Sequence, residues 1–388
     1  MKTGLSVLLR KTIRFLLRVF FVFPIDPQLV LIDSMWGKGV SDNAKYYLQW
    51  AREYGDNGLR YVWGVKDPAG QEPIPGVTFV KYRSLRWFRV HAVAKVILYS
   101  HHLYNYMPMR AGQYHILMWH AGGAYKRIGS SVAGNSPKDV RLHQARNQIV
   151  NDPGVIFLSS SEIFTRYNIQ EVYGFRGRIE NTGMPRNDLF FDPERVRVAD
   201  GKVRKQLGIR VNACVMLYAP TFRMAALKTG GSTETLDFNR LLESLQEKDP
   251  VILYRCHYYE KSELEQNQRI IDVSDYPDMQ ELLCCANLLV TDYSSCIWDY
   301  SFLGRPCFLF VPDLEDYKNR EQGFFTPIES WPGEICRDME ALCGAVKTKA
   351  PACFAEKAER HHREAGSYEE GKACEKLGRL IQELTERK

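Results

Sequence analysis

The chain has 388 residues, of which 45% are hydrophobic and 25% charged. Those figures point to two domains of ordinary size and exclude a disordered polypeptide. Of the formal net charge of +6, Lys2, Arg10, Lys11, Arg14 and Arg18 supply +5, leaving about +1 for the other 368 residues. A nucleic-acid-binding domain carries its basic excess on a folded face, so nucleic acid is not expected as a partner.

The segment LSVLLRKTIRFLLRVFFVF (5–23) ends at Pro24. At helical spacing Leu5, Leu8, Leu9, Ile13, Leu16, Leu17 and Phe20 share one broad face, and Arg10, Lys11, Arg14 and Arg18 gather opposite. A signal peptide keeps its charges ahead of an uninterrupted apolar core. A spanning helix tolerates four central cations only at high cost. The expectation is a monotopic anchor lying in the membrane interface (1–24), and packing on the protein's own core is the alternative.

Beyond Pro27 short β-branched runs alternate with helical stretches. Strands are expected at 29–34, 60–65, 77–82, 95–100, 115–120, 155–161 and 178–183. A second series follows at 214–220, 251–257, 269–274, 287–292 and 306–311. Helical spacing occupies 41–53, 84–93, 236–246, 278–286 and 295–304. Such alternation gives βαβ units and parallel sheets, with too many strands for one sheet. The expected architecture is therefore α/β, with two doubly wound Rossmann-like domains, 25–200 and 201–388. The charged, Gly-containing stretch 190–210 is the junction, and the last 40 residues form one or two terminal helices. Ten cysteines all lie beyond residue 213, none in C-x-x-C spacing, and several sit in apolar runs. They read as reduced core residues of a cytoplasmic protein.

Ligands of open α/β sheets bind at the carboxyl ends of strands, and four candidate sites stand there. In MWHAGGAYKRIG (118–129) His120 closes a strand ahead of Gly122 and Gly123, placing a candidate general base beside a turn that a ligand can approach closely; a structural strand-end histidine is the alternative, and the glycines with Lys126 and Arg127 weigh against it. In YAPTFR (218–223) the Thr221 hydroxyl and the Arg223 guanidinium suit phosphate oxygens. YRCHYYEK (254–261) puts Arg255 and His257 at another strand end; for each of these two blocks a polar turn pair or a surface ion pair is the alternative. In NLLVTDYSSCIWDY (287–300) a strand leads through Asp292, Ser294 and Ser295 into a helix. Hydroxyls and free N–H groups there suit a pyrophosphate, and a plain N-cap is the overlapping alternative. There is no D-x-D pair, P-loop or G-x-G-x-x-G, so no obligatory metal or other cofactor is expected.

Taken in order, these blocks resemble the CDP-glycerol glycerophosphotransferase family of teichoic acid and capsule polymer enzymes. MWHAGGAYKRIG is similar to its W-H-[AG]-x-G-x-x-K-x-x-G block, and GMPRNDLFF (183–191) to its G-x-P-R-[NT]-D-x-x-F block. YAPTFR, RCH, VTDYSS with WDYSFLGRPCFLF, and PDLEDY complete the series over about residues 95–325. Met184 and Cys256 depart from the usual neighbours of those motifs. The resemblance implies a GT-B-type fold, two Rossmann-like lobes facing a cleft. It also implies transfer of an alditol phosphate from CDP-glycerol or CDP-ribitol to a hydroxyl of a lipid-linked saccharide, releasing CMP, at the cytoplasmic membrane face. By the same resemblance His120 is the catalytic base and His257 contacts the donor phosphates. Thr221, Arg223, Arg255, Asp292, Ser294 and Ser295 surround the donor, and Gly122 and Arg186 are further substrate contacts. Two rivals remain: a GT-B glycosyltransferase using a nucleotide sugar, and a catalytically silent nucleotide-binding protein on the membrane.

Overall fold

Strands with both faces covered read as unbroken apolar runs, and the interior strands here do. In the computed structural model, which describes residues 2–55, 58–221, 236–245, 249–255 and 267–386, thirteen strands form two sheets. The first contains β1 (Asp26–Asp33), β2 (Arg60–Val65), β3 (Val77–Lys81), β4 (Ala94–Tyr99), β5 (Tyr114–Leu117), β6 (Val155–Leu158) and β7 (Arg178–Glu180). Every neighbouring pair is parallel, in the order β3-β2-β1-β4-β5-β6-β7. The second contains β8 (Cys214–Ala219), β9 (Pro250–Tyr254), β10 (Ile270–Asp272), β11 (Leu288–Thr291), β12 (Cys307–Phe310) and β13 (Glu334–Cys336). It too is wholly parallel, ordered β10-β9-β8-β11-β12-β13. Both sheets have doubly wound order, reversing direction at β1/β4 and at β8/β11.

Alternation along each strand feeds two cores in the first unit. Leu31, Ile97, Leu117 and Phe157 pack with Trp87 on one face, while Ile32, Leu98, Ile116 and Leu158 pack with Tyr47 and Leu48 on the other. In the second unit Met216, Ile252, Val290 and Phe308 pack against Leu241, Leu342 and Phe354.

By its contacts the chain divides into Met1–His120, Arg141–Asp188 and Tyr368–Lys388, against Ala121–Val140 and Leu189–Ser367. This partition differs from a single division at 200/201. The terminal helix Ala373–Glu386 belongs to the first unit because Leu377, Leu380, Ile381 and Leu384 complete one of its cores. Arg178 pairs with Glu383 there (3.0 Å). The stretch read as a junction contains the helix Pro193–Leu207, capped by Asp192 and stopped by left-handed Gly208. Its signals were the Asp-Pro start and the Gly stop, which its charge obscured.

The N-terminal helix Lys2–Leu17 continues as a 3₁₀ turn, Arg18–Val22. Leu17 packs on the first unit's core, and the Arg14 Nε donates to the Met107 carbonyl (3.2 Å). Arg110 donates to the Phe23 carbonyl (2.7 Å). Leu9, Phe15, Leu16, Val19 and Val22 remain exposed, each by more than half. One side of the segment thus packs on the protein's own core, and another presents apolar side chains to solvent. Among the described residues, no helix is long and apolar enough to cross a membrane.

Candidate active site

In the first unit, chemistry-bearing residues collect at the carboxyl edge of β1, β4 and β5. Ser34 and Ser100, just beyond β1 and β4, are hydrogen-bonded through their hydroxyls (2.9 Å) across the point where strand order reverses. His120 lies three residues beyond β5, half-buried and stacked on Trp119 with ring centroids 4.5 Å apart. Its Nδ1 is 3.0 Å from the Ser100 carbonyl oxygen. A carbonyl only accepts, so Nδ1 carries the proton and Nε2 keeps its lone pair, as a general base requires. Burial lowers the His120 pKa from its ordinary value; the Asp42 carboxylate acts against that, and Arg186 and His101 act with it. The net effect favours the neutral imidazole.

Trp119 reaches this position with φ +57°, a left-handed conformation that costs a bulky residue about 1–3 kcal/mol. Asn43 holds it there: its amide donates to the Trp119 carbonyl (2.9 Å), and its side-chain oxygen accepts from the Arg186 backbone N–H (3.2 Å). The Arg186 guanidinium pairs with Asp42 at 2.7 Å, the side chains being 4% and 10% exposed. So enclosed a pair leaves Arg186 as a support for the His120 loop rather than an open substrate contact. Its neighbours are structural as well. Asn187 donates to Glu369 (2.9 Å), and Asp188 accepts from the backbone N–H groups of Ala373 and Cys374 at the start of the terminal helix. Asp42, Asn43, Ser100 and Glu369 were not singled out from the sequence. Asp42 and Asn43 follow the glycine-containing turn after β1, and that position was the available signal.

In the second unit, Thr221 and Asp292 stand just beyond β8 and β11, again at the reversal of strand order. Asp292 is buried and accepts from the Thr221 backbone N–H (2.9 Å), the Thr221 hydroxyl (2.9 Å) and the Tyr293 N–H (2.5 Å). The Thr221 hydroxyl proton, expected on phosphate, is therefore engaged by Asp292, and the pair sets the spacing of the two strand ends. Arg255 lies at the end of β9 and donates to the Tyr276 carbonyl (2.8 Å). Burial lowers its pKa from the ordinary guanidinium value, opposed by the Asp278 carboxylate. Ser295 makes no side-chain cap to the helix Cys296–Ser301, and the Ser294 hydroxyl lies 3.4 Å from the Cys296 N–H as its acceptor. The N-cap role thus falls to Ser294 and not to Ser295, and both residues are half-buried at the strand-to-helix turn.

Gly122 belongs to the second unit. A Cβ there would lie 2.0 Å from the Trp298 ring, so its bareness serves packing against a buried tryptophan. Arg127 of the same block donates to the Phe324 carbonyl (3.0 Å), and Tyr293 donates to Asp313 (2.9 Å) within the PDLEDY segment. Arg223 and His257 lie outside the described residues. Among the described residues, no group of three or more His, Cys, Asp and Glu is arranged to hold a metal ion.

The profile of the CDP-glycerol:poly(glycerophosphate) glycerophosphotransferases matches residues 15–383. The chain belongs to that family. Its teichoic acid relatives include a poly(glycerol phosphate) polymerase of Staphylococcus epidermidis, 28% identical over 92% of this chain and 51% of the relative. A ribitol-phosphate primase of Bacillus spizizenii is 29% identical over 71% of each chain. The chain thus spans about half the length of the first relative. Among solved structures, one of the wall teichoic acid polymerase TagF aligns with a TM-score of 0.82 and 26% identity, covering 99% of this chain and 96% of that one. The two-sheet parallel architecture is accordingly GT-B-type. The family match extends well before residue 95, to the N-terminal third whose sequence resembled it only in architecture.

Proposed function

We propose that this family member transfers an alditol phosphate from CDP-glycerol or CDP-ribitol to a hydroxyl of a lipid-linked saccharide at the cytoplasmic membrane face. The observation that carries the reading is the placement of His120 Nδ1 3.0 Å from the Ser100 carbonyl oxygen, an acceptor that puts the proton on Nδ1 and leaves Nε2 of the neutral ring as the base. In the reaction the acceptor oxygen attacks the phosphorus bearing the alditol, and its proton passes to Nε2. The bond from that phosphorus to the bridging oxygen breaks, and CMP leaves with the bridging oxygen and its electron pair. In-line phosphoryl transfer depends on positioning and charge stabilisation more than on covalent help. The half-buried Ser294 and Ser295 and the cationic Arg255 supply donors for the leaving phosphate, and Arg223 and His257 extend that set by family resemblance. The relatives' names, spanning glycerol and ribitol polymers, support a CDP-alditol over a nucleotide sugar.

Membrane association rests on the exposed Leu9, Phe15, Leu16, Val19 and Val22 beside a basic helix. CMP release by the purified chain with lipid-linked acceptor, across CDP-glycerol, CDP-ribitol and nucleotide sugars, tests the reaction. His120→Ala is expected to lower kcat by about 10²–10⁴-fold. Unchanged turnover in that variant, or turnover only with a nucleotide sugar, would overturn the reading.

A further inference from the structure

Beside the N-terminal helix lies a groove of about 530 Å³ lined by Arg10, Lys11, Arg14 and Arg146, with Asp152 the one acid among its lining residues. The cations come from two elements distant in sequence: three from the N-terminal helix Lys2–Leu17 and the fourth from the helix Pro137–Asn147. Arg10 and Arg14 are one turn apart, and the Arg14 Nε bond to Met107 anchors that side of the helix to the fold. Arg146 is exposed. The same N-terminal segment carries Phe15, Leu16, Val19 and Val22, exposed by 61% to 78%. A concave cluster of cations beside an apolar ridge matches a molecule with an anionic head and an acyl tail.

We propose that this groove is a headgroup site for anionic phospholipid, taking the lipid phosphate while the adjoining ridge enters the acyl region. The proposal rests on the membrane reading above and deepens it: the surface is read at a defined concavity, not by diffuse attraction alone. Arg18 provides the internal comparison, because it is exposed on the same segment and does not line the groove.

The test is co-sedimentation of the full chain with phosphatidylcholine vesicles, with and without phosphatidylglycerol. Arg10→Gln and Arg146→Gln are each expected to weaken partition onto phosphatidylglycerol vesicles by about tenfold or more, as loss of a charge-assisted contact does. Arg18→Gln is expected to weaken it by about fivefold or less, as loss of a diffuse charge does. Arg146→Lys retains most of the binding, and none of these variants changes partition onto pure phosphatidylcholine. Equal losses in Arg18→Gln and Arg146→Gln would overturn the groove and leave the membrane reading standing. Arg146-dependent binding of glycerol 3-phosphate without vesicles, read by calorimetry, would make the groove a soluble-phosphate site and also overturn the proposal. If the parent protein binds neither vesicle, the membrane reading falls and the groove with it.

Discussion

Replacing Thr221 with valine separates two roles for a residue that sequence pattern places on phosphate and the structure places on Asp292. Valine keeps the side-chain shape and puts a methyl group in place of the hydroxyl. Asp292 is 4% exposed, and its carboxylate accepts, among the described residues, from the backbone N–H groups of Thr221 and Tyr293 and from the Thr221 hydroxyl. Losing the hydroxyl removes one hydrogen bond to a buried charge, about 1.5–3 kcal/mol. No solvent takes its place readily at a buried carboxylate. Denaturant unfolding of Thr221→Val, Asp292→Asn and the double variant measures the term directly. The double-variant cycle is expected to show a coupling of about 1–3 kcal/mol, since the two groups touch. Thr221→Val should also raise KM for the donor only modestly, through displacement of the strand ends. A variant of parental stability whose donor KM rises about tenfold or more would refute this reasoning and return the hydroxyl to the phosphate.

Gly122→Ala places a methyl within 2.0 Å of the buried Trp298 ring, and overpacking of that kind costs about 1–3 kcal/mol. A lowered Tm is therefore expected, whereas a parental Tm with a selective rise in KM would mark Gly122 as a backbone contact to substrate. Acid should destabilise the fold through buried histidines: burial holds His115 and His362 at about 3 and His361 at about 4. Because these lie below the unfolded value near 6.5, the unfolded chain binds more protons once pH drops below about 6.5. Stability is full above that pH and falls toward pH 4 by up to about 1.4 kcal/mol per pH unit for each histidine. His362→Gln, which can still donate to Ser301, should flatten the slope of unfolding free energy against pH, and an unaltered slope would contradict this. Exchanging Phe15, Leu16 and Val19 for serine should abolish vesicle binding while shifting stability by about 0.5 kcal/mol or less at each exposed site, and undiminished sedimentation would count against the anchor.

Much of the architecture was legible in the chain because buried parallel strands leave dense apolar runs. Twelve of the thirteen described strands overlap segments expected from the sequence, including the three-residue edge strands β7 and β10, whereas the edge strand β13 was not expected. The helix Pro193–Leu207 was hidden by its charge, although Asp192 and Gly208 mark its ends. Sequence pattern placed His120, Thr221, Arg255 and Asp292 at strand ends, and the structure has them just beyond β5, β8, β9 and β11. Sequence could not say which groups would use up one another's hydrogen-bonding capacity. Thr221 and Asp292 are 71 residues apart and meet only because β8 and β11 are neighbours. Arg186 and Asp42 are 144 apart, and their pairing turns a substrate candidate into the brace of the His120 loop. Ser100 fixes the His120 tautomer through a carbonyl, a group every residue carries and no pattern can mark. Composition and periodicity determined the two sheets and the residue types at their edges. Tertiary packing alone decided which donors and acceptors satisfy each other and which remain for a ligand, because pairing of buried polar groups depends on distances between strands that lie far apart along the chain.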